Sequence, residues 1–139
     1  MAKTSGLGGS ISVADAGGTA RTLSNDFTNF QFSTPRGVQD ITGIDKSAHE
    51  RLLLLSDFSL TLNGVFDPAA NEAHAVFSTV SSTSVTRAVV IQPTSGTVPT
   101  LTNNCLLTDY QITRANTGEL TWQVPGSLAD GAVPTWVNA

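Results

Sequence analysis

Hydrophobic and polar residues alternate along much of the chain, and this two-residue period predicts β-strands. The clearest alternation lies in the run "DFSLTLNGVF" at residues 57–66. Its apolar positions share one face and are Phe58, Leu60, Leu62 and Phe66. Its polar positions share the other face and are Ser59, Thr61 and Asn63. Shorter alternating or β-branched runs around Ile11 and Val13, and in "SVTRAVVIQP", predict further strands.

Two hairpins are predicted where pairs of such runs are separated by turn residues. In the first, "NFQFST" leads through Pro35 and Gly37 to "VQDIT". In the second, "LLTDYQIT" leads through "RANTG" to "ELTWQV". Each hairpin has one apolar, aromatic face and one face of hydroxyl and amide side chains. The residues that we expect in the core are Phe30, Phe32, Leu60, Leu62, Leu120 and Trp122.

Helical signals occur in two segments. Asp67 followed by Pro68 is typical of a helix start, because the carboxylate can accept free N–H groups and proline is tolerated at the first position. The apolar stripe that would then lie on the sheet consists of Ala69, Ala73, Val76, Phe77 and Val80. The segment "DKSAHERL" predicts a helical turn, and residues 125–139 read as an irregular tail with a large apolar anchor.

The length of 139 residues predicts a single domain at 1–139, and the composition narrows its function. The formal net charge is −4 and only 13% of residues are charged, so seven scattered Lys and Arg residues predict no electrostatic footprint for nucleic acid. A polar but uncharged surface is typical of β-strands and of proteins covered by copies of themselves. The longest apolar run, residues 52–55, is too short to span a bilayer, and we expect no signal peptide and no membrane association.

The residue types that carry chemistry do not form a catalytic pattern. Cys105 lies in a predicted strand and is expected to be a small buried side chain. His49 and His74 lie on different elements without ligands at metal-binding spacing. The glycines of "GLGG" and "AGGT" lack the strand and helix of a phosphate loop, and Asp109 and Glu119 are expected on a solvated face. The sequence therefore predicts no enzyme, no metal and no cofactor.

Two long segments carry a resemblance to a known family. They are "VQDITGIDKSAHERLLLLSDFSLTLNGVFDPAANEAHAVFSTV" and "NNCLLTDYQITRANTGELTWQVPGSLADGAVPTW", which together extend from Val38 to Trp136. The features are the "ITGID.SA.ERLLLL" segment, a "GVF" strand end before an alanine-rich helix, "LLTDY", "LTW.VPG" and "GAVPTW". In order and spacing they resemble the major tail protein, or tail tube protein, of long-tailed bacteriophages.

The resemblance implies a mostly β fold of two packed antiparallel sheets, as a sandwich or partial barrel, with one flanking α-helix. It further implies hexameric rings stacked into a hollow tube, contacts with the tape-measure, tail-terminator and distal tail proteins, and DNA that passes without specific binding. The subunit would lie in the host cytoplasm before assembly and in the virion tail afterwards. The Gly-rich residues 1–9, the "TPRG" region and the C-terminal tail are then candidate arms toward other subunits.

Site residues follow from this implied architecture and from the polar faces of the hairpins. The residues expected to face the lumen are Gln31, Ser33, Asp40, Asp109, Gln111, Thr113, Glu119, Thr121 and Gln123. Asp40 belongs to this set if Ile41 is a core residue. The residues expected between subunits or rings are Pro35, Arg36, Asp45, Lys46, Glu50, Arg51 and Trp136. The strand and helix at 57–80 are expected to support the wall from outside.

Two other classes of protein remain open from the sequence. A β-sandwich binding module, such as a head-decoration domain of a virion, would share the alternation but should expose a cluster of aromatic side chains. A small hydrolase on a β-fold would need a nucleophile next to a base, and the sequence shows no such pair.

Overall fold

A computed structural model describes residues 5–96 and 98–138. This part of the chain contains eleven strands and one short helix. In chain order they are β1 Ser10–Ala14, β2 Ala20–Thr22, β3 Phe27–Ser33, β4 Arg36–Asp40, β5 Arg51–Ser56, β6 Ser59–Val65, α1 Ala73–Phe77, β7 Arg87–Gln92, β8 Thr100–Leu107, β9 Gln111–Arg114, β10 Leu120–Leu128 and β11 Trp136–Val137. No helix among the described residues is long and apolar enough to cross a membrane.

Nine strands form one antiparallel sheet in the order β2-β1-β7-β8-β10-β6-β3, with β11 beside β8 and β9 beside β10. The long strand β10 joins two halves of this sheet, because Thr121–Ser127 pair with β6 while only Gly126–Leu128 pair with β8. The four-stranded half consists of β9, β10, β6 and β3, and the five-stranded half consists of β2, β1, β7, β8 and β11. Strands β4 and β5 form a separate two-stranded sheet.

The two halves enclose one hydrophobic core. Its residues come from both halves and from α1, and they include Ile11, Val13, Leu60, Leu62, Val76, Phe77, Val89, Ile91, Leu101, Trp122 and Val124. The mostly β fold class with a short flanking helix is confirmed, and the two predicted sheets are the two halves of one continuous sheet. Of the predicted core residues, Leu60, Leu62 and Trp122 are buried, Phe32 and Leu120 are half-buried, and Phe30 is 37% exposed at the edge of the sheet.

The first predicted hairpin is wrong, because β3 and β4 are not partners. β3 pairs with β6, and β4 pairs with β5 across a loop at residues 41–50. The predicted helical turn in "DKSAHERL" is also wrong, since residues 45–50 form turns and bends and Arg51 begins β5. The leucines of "RLLLLS" have a high helix propensity, but pairing with β4 overrides it and makes the segment a strand. The second predicted hairpin, β9 with β10, is confirmed with Thr113 opposite Thr121.

The helix is shorter than its sequence signals predict. Asp67 accepts a bond from Ala69 N–H in a turn, and the positive φ of Asn71 (65°) prevents continuous helix before Ala73. A five-residue helix is unstable alone, and buried side chains hold it at both ends. Asp26 Oδ2 accepts from Ala73 N–H at 3.0 Å, and the Arg87 guanidinium donates to Val76 O at 2.6 Å.

The two chain ends lie partly within the fold. Residues 1–4 of the predicted N-terminal arm lie outside the described residues, while Gly9 packs so closely on the backbone that an added Cβ would lie 2.8 Å from Gln92 O. At the other end, β10 continues to Leu128, past the predicted tail boundary near residue 125. Trp136 in β11 then pairs with Leu101 of β8 and packs on Phe32, with ring centroids 5.9 Å apart.

Gly64 in β6 is a position where only the absence of a side chain permits the packing. A Cβ there would lie 2.1 Å from Asp26 O and 2.4 Å from Trp122 Cζ2. Because both atoms belong to buried, hydrogen-bonded groups, we expect Gly64→Ala to lower the free energy of unfolding by about 1–3 kcal/mol or more. Urea denaturation measures this, with Gly17→Ala in the exposed β1–β2 turn as the control. Equal effects of the two variants would contradict the prediction.

Candidate functional site

The four-stranded half carries a mostly polar face, which also contains Val65 opposite Thr121 and Pro125 opposite Thr61. Its register places Gln111, Gln123, Asn63 and Asn29 in one row across the four strands. Neighbouring rows contain Thr113 beside Thr121, Thr61 beside Gln31, and Ser127, Ser59 and Ser33. Directly opposite residues in antiparallel strands share a face, so all of these side chains point away from the core. Adjacent members bond to each other, as in Asn63 Nδ2 to Asn29 Oδ1 at 2.8 Å and Ser33 Oγ with Ser59 Oγ at 3.0 Å.

Six of the predicted lumen residues are thus brought together on this face. They are Gln31, Ser33, Gln111, Thr113, Thr121 and Gln123. The sequence interpretation missed five more, namely Asn29, Ser59, Thr61, Asn63 and Ser127. Three of them lie on β6, which it placed outside the wall. In the structure β6 is a central strand between β10 and β3. The polar positions of β6 were recognised in the sequence, but their alignment with the polar positions of β10 and β3 was not.

The three predicted lumen acids lie elsewhere. Glu119 directly precedes β10 and Asp109 lies between β8 and β9, both exposed at the limits of the polar face. Asp40 lies on β4 in the separate hairpin, and Ile41 is exposed, so the condition for placing Asp40 on this face is not met. Bonds from the Thr42 hydroxyl, Thr42 N–H and His49 lower the pKa of Asp40. The polar face itself is therefore uncharged along its strands.

Both lateral edges of the four-stranded half are open within the described residues. β3 pairs only with β6, and β9 pairs only with β10. An unpaired strand edge presents backbone N–H and C=O groups that can pair with another chain. The half is thus a sheet segment with one buried face, one polar face and two free edges.

The β4–β5 hairpin, residues 36–56, projects from this body and is apolar on both sides. Val38 lies opposite Leu53, so these two share one face, and Leu52 beside Gln39 points to the other. The exposed apolar residues of the hairpin are Val38, Ile41, Ile44, Leu52, Leu53, Leu54 and Leu55. Leu55 is 89% exposed and Ile44 is fully exposed. A continuous run of leucines is typical of a strand that is buried on both faces. The sequence interpretation did not use this signal.

Most predicted inter-subunit residues belong to this hairpin or its base. Pro35 O accepts from Asp57 N–H at the base, and Arg36 donates two bonds to Leu54 O. Lys46 Nζ lies 3.7 Å from Glu50 and 3.8 Å from Asp45 in exposed ion pairs, which contribute little stability. Arg51 begins β5 opposite Asp40. Trp136 is separate from this group, because it packs on the sheet.

A cluster of three carboxyl groups is the arrangement among the described residues that could hold a metal ion. Ligand oxygens of Asp26, Asp67 and Glu72 lie within 4.8 Å of one another beside the start of α1. Burial raises the pKa of Asp26 to about 6; the bond from Ala73 N–H opposes this rise, and the two neighbouring carboxyl groups add to it. The cluster therefore favours the protonated form of the Asp26 carboxyl group. The same group accepts the hydrogen bond from Ala73 N–H at the start of α1.

The remaining reactive side chains have structural contacts. Cys105 is fully buried, as expected, and burial raises the pKa of its thiol to about 12, which leaves no nucleophilic thiolate at neutral pH. His74 Nδ1 lies 3.2 Å from the Tyr110 hydroxyl, and His49 Nδ1 lies 3.2 Å from Asp40. The two histidines are on separate elements.

The described residues thus define an all-antiparallel sheet protein whose distinctive surfaces are a polar face, open edges and an apolar hairpin. No protein-family model matches the sequence, and no curated protein is a significant match. Solved structures match the fold over nearly the whole chain.

One similar chain belongs to the virion of a native gene transfer agent (GTA) particle. It has a TM-score of 0.74 and 14% identity, and the match covers 97% of this chain and 99% of that one. Another comes from the tail of an empty GTA particle computed with helical refinement and C6 symmetry. It has a TM-score of 0.75 and 15% identity, with the same coverage. The chain therefore shares its fold with a chain of the GTA virion and with a chain of the GTA tail.

The Asp26 carboxyl group makes stability depend on pH in a defined direction. Its folded pKa lies near 6 and above its ordinary value of 3.8, so its contribution is fully present below about pH 4 and is lost as the pH rises through 6. We expect Asp26→Asn to remove this decline, because the amide oxygen still accepts from Ala73 N–H without ionising. Urea denaturation between pH 4 and 7 measures it. Asp26→Ala should be less stable at every pH, and parallel profiles of wild type and Asp26→Asn would contradict the assignment.

Proposed function

We propose that the protein is the structural subunit of a phage-type tail tube, in which stacked hexameric rings form a hollow conduit for DNA. The observation that carries this proposal is the four-stranded half, with its uncharged polar face and two open edges. An open edge is a liability for a monomer, whereas in a ring β3 of one copy can pair with β9 of the next. The shared fold with a chain from a C6-symmetric GTA tail supports six copies.

The geometry of such a ring is consistent with a conduit. Six four-stranded segments would supply about 24 strands, and at ~4.8 Å between strands tilted by ~40° the barrel diameter is on the order of 50 Å. The side chains facing inward would be those of the polar face. A channel of this width has room for a DNA duplex.

The uncharged side chains of the polar face suit the passage of DNA. Ser, Thr, Asn and Gln side chains provide no cation to displace counterions from phosphates, so DNA gains no electrostatic attraction to the wall. Glu119 and Asp109 at its limits would add repulsion, strengthened by repetition around each ring. The tape-measure protein would occupy the same lumen before DNA, and the terminator and distal tail proteins would cap the stack.

The proposed location is the virion tail, reached from the host cytoplasm by self-assembly without enzyme activity or cofactor. The alternative of a binding or head-decoration module has no comparable support. Such a module should expose clustered aromatic side chains, but within the described residues Phe30 is the one exposed aromatic residue.

Self-assembly tests the proposal directly. Concentrated purified protein should form six-fold rings or tubes in electron micrographs and sediment as hexamers or larger species. No nucleotide or metal should be needed, since the open edges and the hairpin are present in the folded chain. A compact monomer at every concentration, together with absence of the protein from tails, would contradict the proposed function.

A charge reversal at Glu119 tests the lumen assignment. Glu119→Lys should leave folding and assembly nearly unchanged, because exposed polar positions contribute little stability. It should slow DNA ejection from tails, and the slowing should weaken as the salt concentration rises, because repeated lysines would attract phosphates. Ejection rates at two salt concentrations measure this, with Glu119→Gln as the control for loss of the negative charge alone. If tails that carry Glu119→Lys eject DNA at the wild-type rate, the assignment of Glu119 to the lumen is wrong.

A further inference from the structure

We propose that adjacent copies in the ring join β3 to β9 with an offset of four residues along the strands. The register rests on the proposed function and assigns the residues that meet at each joint. Thr113 of one copy then lies opposite Gln31 of the next, and Gln111 lies opposite Ser33. The strand order and pairing of the four-stranded half leave few ways to close a ring, and three constraints select this one.

The first constraint is that the polar side chains stay on one face across the joint. Side chains alternate between the two faces of a strand, so an odd offset would turn the polar residues of the next copy toward the core side. Rotation about a six-fold axis keeps all copies pointing the same way along that axis. Since β3 and β9 run in opposite directions within one copy, the joint is antiparallel and its offset is even.

The second constraint is the tilt of strands in a closed barrel. Within one copy, a row perpendicular to the strands runs from Gln111 through Gln123 and Asn63 to Asn29. Tilted strands make this row change height as it crosses the copy, whereas six-fold symmetry places equivalent residues at one height. With ~3.3 Å per residue and ~4.8 Å between strands, an offset of four residues over four strands gives a tilt of about 35°. Offsets of two and zero give about 19° and about 0°, below the usual tilt of about 35–45°.

The third constraint is the length of the two edge strands. In one direction, an offset of four carries β9 of the next copy beyond the Phe27 end of β3, where it has no strand to pair with. In the other direction, every residue of β9 lies opposite β3, between Phe30 and Ser33. An offset of six, with a tilt of about 46°, leaves Gln111 and Ile112 beyond Ser33 and halves the contact. The four-residue offset therefore combines a barrel tilt with complete pairing of β9.

The core side of the joint supports the same register independently. Ile112 and Phe30 lie on the core side of the two edge strands, yet they are 45% and 37% exposed. With the four-residue offset, Ile112 lies opposite Phe32 and diagonal to Phe30, so these side chains cover one another. Arg114 then lies opposite Phe30, where its guanidinium can stack on the ring. Without an offset, Phe30 would lie beyond the start of β9 and stay uncovered by it.

Disulfide trapping in the assembled protein tests the register. Every chain carries Gln31→Cys and Thr113→Cys, which are exposed positions on the two edge strands. A disulfide requires Cα atoms about 4.4–6.8 Å apart, a separation that directly opposite residues meet and residues two positions further along do not. Because each copy contributes one cysteine to each of two neighbours, oxidation should convert most of the protein to covalent hexamers on a non-reducing denaturing gel. Ser33→Cys with Gln111→Cys is a second directly opposite pair and should give the same product.

Matched controls carry the cysteine pairs of the other even registers. Gln31→Cys with Gln111→Cys corresponds to an offset of two residues, and Asn29→Cys with Gln111→Cys corresponds to no offset. Each should give several-fold less covalent hexamer than the test pairs. Within one chain the edge strands are three strand spacings apart, roughly 14 Å, so an intrachain disulfide cannot form. The native Cys105 is fully buried and adds little background.

The outcomes separate the register from the proposed function. Rings in which oxidation links a control pair preferentially, or links none of the four pairs, would overturn the register and leave the tail tube proposal standing. Covalent open chains from the test pairs, without rings in electron micrographs, would retain the register and contradict the six-fold ring. Protein that neither assembles nor forms crosslinks would overturn both.

Discussion

The two-sided alternation of β6 is the constraint on which the rest of the structure depends. Leu60 and Leu62 point into the core, so Ser59, Thr61 and Asn63 must emerge on the opposite face. A shift of one residue in register would exchange these sets, and burial of the leucines therefore determines how β10 and β3 align. The polar face is a consequence of this alignment. Its continuity across four strands follows from packing on the other side.

Buried polar contacts connect this sheet to the only helix of the described residues. Asp26 O accepts from Val65 N–H, Trp122 Nε1 donates to Val65 O, and the Asp26 carboxylate accepts from the first N–H of α1. Asp26 O and the Trp122 ring occupy the space that a side chain at Gly64 would need. At the other end of α1, buried Arg87 bonds to Val76 O and Thr79. A turn residue before β3 and the first residue of β7 thus position one short helix. Loss of the Asp26 carboxyl group would remove the acceptor of Ala73 N–H, and loss of the Arg87 guanidinium would leave the Thr79 hydroxyl, at 3.3 Å, as the side-chain donor to Val76 O.

Surface features that would be unfavourable in a monomer have one physical explanation in an assembly. Open strand edges, a hairpin with leucines on both faces and a low density of charge each promote association. In the proposed assembly the open edges would become internal ladders, and contact between copies would cover the hairpin.

The sequence by itself determined the strands with clear alternation, the β9–β10 hairpin, the buried parity of Leu60, Leu62 and Trp122, and the polar parity of Gln31, Thr113 and Thr121. These are local consequences of the two-residue period. Tertiary structure alone decided that β3 pairs with β6 and not with β4, that Asp40 lies on a separate hairpin, and that α1 begins at Ala73. Partner choice between strands depends on contacts distant in the chain, and the limits of a short helix depend on buried groups such as Asp26 and Arg87. Neither leaves a periodic signal in the sequence, because the energy comes from packing and not from local conformation.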